Sequence, residues 1–138
     1  DAQLQLGNVA TRLERPDVAA SAYKEVAKHR PELLDAQLGA AEAHLKLEEW
    51  PLALIRFQTA ARLVAEGTDK NPDRDGDLLF KLGMVSCRLK KFDGARQPLE
   101  ASLRIKPDRV EAWKLLSEAL ATLFAAGLVT SLSPGETP

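Results

Sequence analysis

A pattern of small and large residues returns along the chain at a fixed interval, and this constrains the fold more than any local motif. Leu79, Leu82 and Gly83 are followed by Ala95 twelve residues after Gly83, Leu99 four later and Pro107 twelve after Ala95. The same order recurs as Leu6, Gly7, Ala19, Tyr23 and Pro31, then as Ala40, Ala41, Ala53 and Phe57, and starts again at Trp113, Leu116 and Ser117. Gly7 to Ala41 and Gly83 to Ser117 each span 34 residues, whereas Ala41 to Gly83 spans 42, so eight additional residues sit in the middle interval. Residues three and four apart share a helix face, which makes Leu79, Leu82, Gly83 and Ser86 one stripe and Ala95, Leu99 and Ser102 another. Each repeat therefore reads as two helices that meet at a small residue. Glycine inside a helix costs about 1 kcal/mol relative to alanine. Gly7, Gly39 and Gly83 thus need an offsetting reason, which close helix packing supplies at Gly7 and Gly83.

A helix-turn-helix unit of 34 residues is the period of the tetratricopeptide repeat, and the chain resembles that family over about residues 2–124. The resemblance implies an all-α fold: a right-handed superhelical stack of antiparallel helix pairs, about seven helices in residues 1–126. The repeats fall at about 1–33, 34–67 and 76–109, with a partial fourth at 110–126. The chain departs from the family where an aromatic residue often follows the first helix's small residue by three positions; here stand Ala10, His44, Ser86 and Leu120. Ala65 also replaces the proline found at Pro31 and Pro107.

Periodicity and turn chemistry predict helices at about 2–13, 17–29, 32–47, 50–65, 77–89, 93–105 and 109–126. Asp17 is expected to cap the second, Pro51 suits the first turn of the fourth, and Pro98 is placed in the first turn of the sixth. Val110, Trp113, Leu116, Leu120 and Leu123 or Phe124 form the apolar side of the seventh, which is expected to cover the end of the stack. The additional residues form a polar loop, 66–76, in which Gly, Pro, Asn and Asp cluster. Asn71, Asp73, Asp75 and Gly76 echo the start of a calcium loop, but Leu82 stands where the bidentate glutamate belongs. A plain loop with Asp75 capping the next helix is the preferred reading, and no metal or cofactor is expected. Residues 127–138 are expected to be a flexible tail.

Charge and composition narrow the function classes. The formal net charge is −1, so neither nucleic acid nor an anionic membrane is favoured as a partner. The apolar run 119–129 is about half of a membrane span. With Cys87 the only cysteine, no internal disulfide can form, and a cytoplasmic setting is compatible. Starting within a first repeat and without an initiator methionine, the chain reads as a piece of something longer. Paired carboxylates, metal-ligand clusters and phosphate loops do not stand out, which argues against an enzyme.

In tetratricopeptide repeats the residues one position past the core-facing ones line a concave groove, so the resemblance implies a protein-interaction module. The groove columns hold Leu4, Leu38, Phe80 and Lys114; Asn8, Glu42, Met84 and Glu118; and Thr11, Leu45, Cys87 and Ala121. Candidate partner-binding residues are Leu4, Asn8, Leu38, Glu42, Leu45, Lys46, Asp77, Phe80, Lys81, Met84, Cys87 and Arg88. Phe80, Met84 and Cys87 make the fifth helix apolar on a side that stacking does not use, inviting an apolar segment of another protein. Some family members clamp the C-terminal carboxylate of heat-shock chaperones with two Lys, two Asn and an Arg. The matching positions here are Leu4, Asn8, Gly39, Asp77 and Lys81. Only Asn8 is retained, and Asp77 reverses a needed charge, so a chaperone tail is not the expected ligand. The alternative is a structural fragment that stacks on further repeats or associates with itself.

Overall fold

The computed structural model describes residues 1–129, which form an all-α repeat fold of seven helices with no strand among them. The chain divides into two compact units, one of residues 1–69 and one from residue 70 onward. The first holds α1 (Ala2–Arg12), α2 (Pro16–His29), α3 (Leu34–Lys46) and α4 (Trp50–Glu66). The second holds α5 (Pro72–Arg88), α6 (Phe92–Ile105) and α7 (Val110–Ala125). Within each unit consecutive helices pack on one another, and α1 also meets α3 as α5 meets α7.

In the first unit the packing closes on Tyr23. A Cβ added at Gly7 would lie 2.8 Å from one edge of its ring, and one at Gly39 would lie 2.6 Å from the other edge. The ring therefore fills two notches, one in α1 and one in α3, and Gly39 finds the reason its helix cost requires. The Tyr23 hydroxyl donates to Asn8 Oδ1 at 2.6 Å, so the buried ring leaves no polar group unsatisfied. Phe57 of α4 is fully buried, worth about 1.5–3 kcal/mol by area. Buried Gln37 ties three segments together: its Nε2 donates to the Pro31 carbonyl at 3.0 Å and its Oε1 accepts from Arg56 at 3.2 Å. His44, where the family often has an aromatic, is buried with Nδ1 3.0 Å from Glu49 Oε1.

In the second unit Leu99 of α6 occupies the notch at Gly83, where a Cβ would come within 2.5 Å of it. Two turns away Ser102 Oγ donates to the Gly76 carbonyl at 2.9 Å, and Ile105 lies 3.2 Å from where a Gly76 Cβ would sit. Gly76 is thus a buried helix residue rather than part of the loop, because α5 begins at Pro72, earlier than expected. The cap is Asn71, four residues before the expected Asp75. Asn71 Oδ1 accepts from Arg74 N at 3.1 Å, while Asp75 Oδ2 accepts from Asn71 N at 3.3 Å. Asp75 serves the cap from inside the helix, and these oxygens are engaged in the first turn. Asp73 pairs with Lys106 at 2.7 Å. That hydrogen bond and charge hold its carboxyl below the usual range, so the pair supports the fold above the ordinary carboxylate pKa and fades as pH falls through the lowered one.

Other expectations are corrected in detail. The N-cap of α2 is Arg15, without a side-chain cap; Pro16 opens the helix and Asp17 instead sits 3.6 Å from Arg15 Nε. Pro98 is inside α6, past its first turn, and the carbonyl it leaves without an N–H belongs to exposed Gly94. On α7 the buried side is Ala112, Leu116, Ala119, Leu120 and Leu123, while Val110, Trp113 and Phe124 are exposed. Of the expected tail, residues 127–129 are described and Val129 is buried; residues 130–138 lie outside the described residues.

The turns between paired helices share one device. Glu14, Glu48 and Lys90 adopt positive φ of 55°, 57° and 60°, spaced by the same 34 and 42 residues as the small-residue pattern. Each turn returns two N–H groups to the preceding helix: Arg15 to Ala10, Glu49 to His44 and Lys91 to Ser86, beside the bonds from the left-handed residues themselves. These are Schellman closures built without glycine. Gly127 repeats the device after α7, with Leu128 N donating to the Leu123 carbonyl at 2.9 Å.

Gly39→Ala should destabilise the protein by about 1–3 kcal/mol, because the Tyr23 ring is blocked at its other edge by Gly7 and has no room to yield. Gly94→Ala, where an added Cβ meets nothing within 4 Å, should instead be neutral or stabilising by up to about 1 kcal/mol. Urea midpoints of the two variants check this, and equal midpoints would exclude the tight contact.

Candidate functional site

Each unit has a cleft on the side of its first helices. In the first unit it lies between α1, α2 and α3 and encloses about 140 Å³, with Ala19, Tyr23, Gly39 and Ala43 as floor. Leu38 forms a wall, and Glu14, Glu42 and Lys46 stand at the rim. The same residues that let the helices touch thus shape the depression. Leu38, Glu42 and Lys46 come together here as expected neighbours on α3. Leu4 is half-buried and packs into the core beside Tyr23 and Val26, whereas Asn8 is engaged by the Tyr23 hydroxyl. Leu45 is half-buried on α3.

The second unit's cleft is larger, about 550 Å³, and runs between α5 and α7 with Phe92 at its end. Phe80, Met84, Cys87 and Arg88 line one side and Leu115 the other, with Lys90, Glu111, Lys114 and Glu118 around it. Asp77 and Lys81 lie on the same helix, paired at 3.0 Å, and Arg109 approaches Asp77 at 3.5 Å. The Arg109 guanidinium covers the Phe80 ring, 4.6 Å from its centroid, in a cation–π contact. Phe80, Cys87 and Leu115 also pack against the buried cluster of Leu99, Leu103 and Leu116. The expectation that stacking has no use for Phe80 and Cys87 is therefore corrected: both are shared between core and cleft.

Sequence reasoning missed the contributions of Glu14 and Lys90 from the helix-pair turns, of Pro16 and Phe92 at the starts of α2 and α6, and of Glu111 and Leu115 on α7. The turn residues carried a signal, since they recur at the repeat interval. Leu115 had none apart from its place beside Lys114 and Glu118, which the groove columns do include.

Burial pushes the Cys87 thiol up to about 11, with Glu118 adding to the effect. At neutral pH the group is an uncharged thiol that fills space and is a poor nucleophile. Among the described residues no three His, Cys, Asp or Glu side chains gather as a metal site requires, and no helix is long and apolar enough to cross a membrane. What the clefts offer chemically is apolar floor edged with charges of both signs.

Paired antiparallel helices repeated along a chain define a helical-repeat protein. The family model described as tetratricopeptide repeat matches residues 4–68, which lie in the first unit. The fold likeness extends over both units. A crystal structure of MamA superposes with a TM-score of 0.69 at 21% identity, covering 91% of this chain and 67% of that one. The first TPR of Spaghetti (RPAP3), bound to the HSP90 peptide SRMEEVD, gives 0.69 at 19% identity, covering 89% and 91%. YrrB, described as a TPR protein with an unusual peptide-binding site, gives 0.67 at 22%, covering 91% and 66%. By sequence, no curated protein matches the chain.

Alkylation of Cys87 should follow its raised pKa, the rate climbing through about pH 11 rather than 9. Glu118→Gln should speed the reaction at pH 9 while leaving the midpoint above that of a free thiol, because burial is the larger cause. A rate already saturated at pH 9 would contradict the placement of the thiol.

Proposed function

We propose that this protein is a non-catalytic interaction module that holds a segment of another protein through apolar anchors in its clefts. The observation that carries the reading is the α5–α7 cleft, about 550 Å³ with Phe80, Met84, Phe92 and Leu115 along it and charges at its edge. Two of the similar folds support it, being described with a bound peptide and with a peptide-binding site. An anchor buried there contributes about 1.5–3 kcal/mol, and two or three anchors with a few hydrogen bonds give roughly micromolar affinity. The first unit's smaller cleft, walled by Leu38, suits a single further side chain.

The proposed ligand is an internal apolar segment rather than a C-terminal carboxylate. Of the positions matched to the chaperone clamp, Leu4 is used in the core and the Asn8 oxygen is taken by Tyr23. The Gly39 notch is filled by the Tyr23 ring, and Lys81 is paired with Asp77. A carboxylate would meet an anion where the clamp supplies a cation.

Met84→Glu combined with Leu38→Glu is the test, since both line clefts and are only half-buried. Phe80 is left intact because the core shares it. The double variant should lose the protein partner that the immobilised wild-type chain retains, with stability kept within about 1 kcal/mol. Capture that survives both changes in a folded variant would rule the clefts out as the binding surface.

A further inference from the structure

The first unit's cleft joins an apolar floor to an anionic rim. It encloses about 140 Å³ above Ala19, Tyr23, Gly39 and Ala43. A cavity of roughly 150 Å³ holds a benzene-sized group, so there is room for one side chain. Three charges edge it: Glu14 in the turn after α1, and Glu42 and Lys46 on α3. Glu42 precedes Lys46 by four residues, the order in which two such charges offset each other along a helix. Glu14 is the charge left over. It is exposed, it has no ion-pair partner among the described residues, and its neighbour Arg15 is engaged with Asp17 at 3.6 Å. The turn fixes its place, since Glu14 N donates to the Thr11 carbonyl at 3.1 Å and Arg15 N to the Ala10 carbonyl at 2.8 Å. The backbone field has the same sign. Helices α1 and α3 bring their last turns to the cleft through Thr11, Ala43 and Lys46, and α2 brings its first through Pro16 and Ala19. Two negative helix ends thus stand against one positive end. Residues 1–69 as a whole carry eleven Asp and Glu against eight Lys and Arg, whereas residues 70–138 carry nine against eleven.

We propose, on the reading that the clefts hold side chains of a bound segment, that the first unit's cleft selects a basic one, lysine or arginine. Both residues lay a methylene stem along apolar surface and keep the charged head in water. Here the stem lies on Ala19, Ala43 and Leu38 and the head reaches the rim at Glu14. A plain aliphatic side chain would fill the same floor, yet it would draw water from the Glu14 carboxylate and offer no partner in return. A glutamate would set like charges together. The preference belongs to this cleft alone, because along the α5–α7 cleft Arg88, Lys90 and Lys114 outnumber Glu111 and Glu118.

Capped single residues are the probes: N-acetyl-lysine methylamide, its norleucine analogue with the same stem and no ammonium, and its glutamate analogue. Each is titrated into the full isotope-labelled chain to about 50 mM, because one buried side chain gives only millimolar affinity. The amide resonances of Gly39 and Ala43 should report lysine as the tightest, by about two- to fivefold over norleucine, which is what an exposed ion pair supports, with glutamate last. The margin should shrink at high salt. Glu14→Gln should bring lysine level with norleucine, and Glu14→Lys should put norleucine ahead, while helical circular dichroism is unchanged. Norleucine binding the wild-type chain as well as lysine does, or a margin that Glu14→Gln leaves intact, would overturn the basic preference and leave the clefts standing as side-chain sites. No shift at Gly39 and Ala43 with any probe would overturn it differently, by removing the site on which it rests.

Discussion

Two helices come into contact along their backbones only where a side chain is missing, and that closeness governs both units. Tyr23 seats one ring in two such gaps, at Gly7 and Gly39, and Leu99 seats in the gap at Gly83. The glycines lower the helix propensity of α1, α3 and α5, and the buried ring and leucine compensate through contact. Because Tyr23 touches α1 and α3 together, three helices of the first unit depend on one side chain. Such sharing couples neighbouring elements in the way that makes repeat arrays unfold in blocks.

The clefts follow from the same geometry. When the small residue of a first helix faces its partner helix, the positions beside it turn to the other side, where the next first helix stands. In the second unit this sets Met84 and Cys87 opposite Leu115 and Glu118. Contact and cleft are two faces of one helix, so Phe80 can serve both under the Arg109 guanidinium. A cleft of this kind is held by the core and needs no separate scaffold.

Much of the fold could be read from spacing. The interval of 34 residues, the pairing of small with large residues sixteen apart and the helix start near Pro51 all depend on local pattern, which one sequence displays. Legibility failed where a residue's role depends on what lies across from it. Asp75 looked like a cap, and only the early helix start at Pro72 turns it into the cap's inner partner. Trp113 fits an apolar stripe, yet the buried arc of α7 is centred on Leu116 and Ala119, and a helical pattern alone does not say which of two apolar arcs faces inward. The candidate site divided in the same way. Leu38, Glu42, Met84 and Arg88 were legible as a helix face, while Phe92 and Leu115 reach the cleft from other helices.

The left-handed turn residues carry a consequence for the charge around the clefts. Glycine would be the least strained residue at these turns, and a residue with a Cβ costs about 1 kcal/mol there. Yet Glu14 stands at the rim of one cleft and Lys90 at the edge of the other, with opposite charge. Replacement by glycine at either position would relax the backbone and erase the sign of that rim. At these two residues backbone ease and the charge of the cleft edge pull in opposite directions, and the chain carries the strained, charged solution in both places.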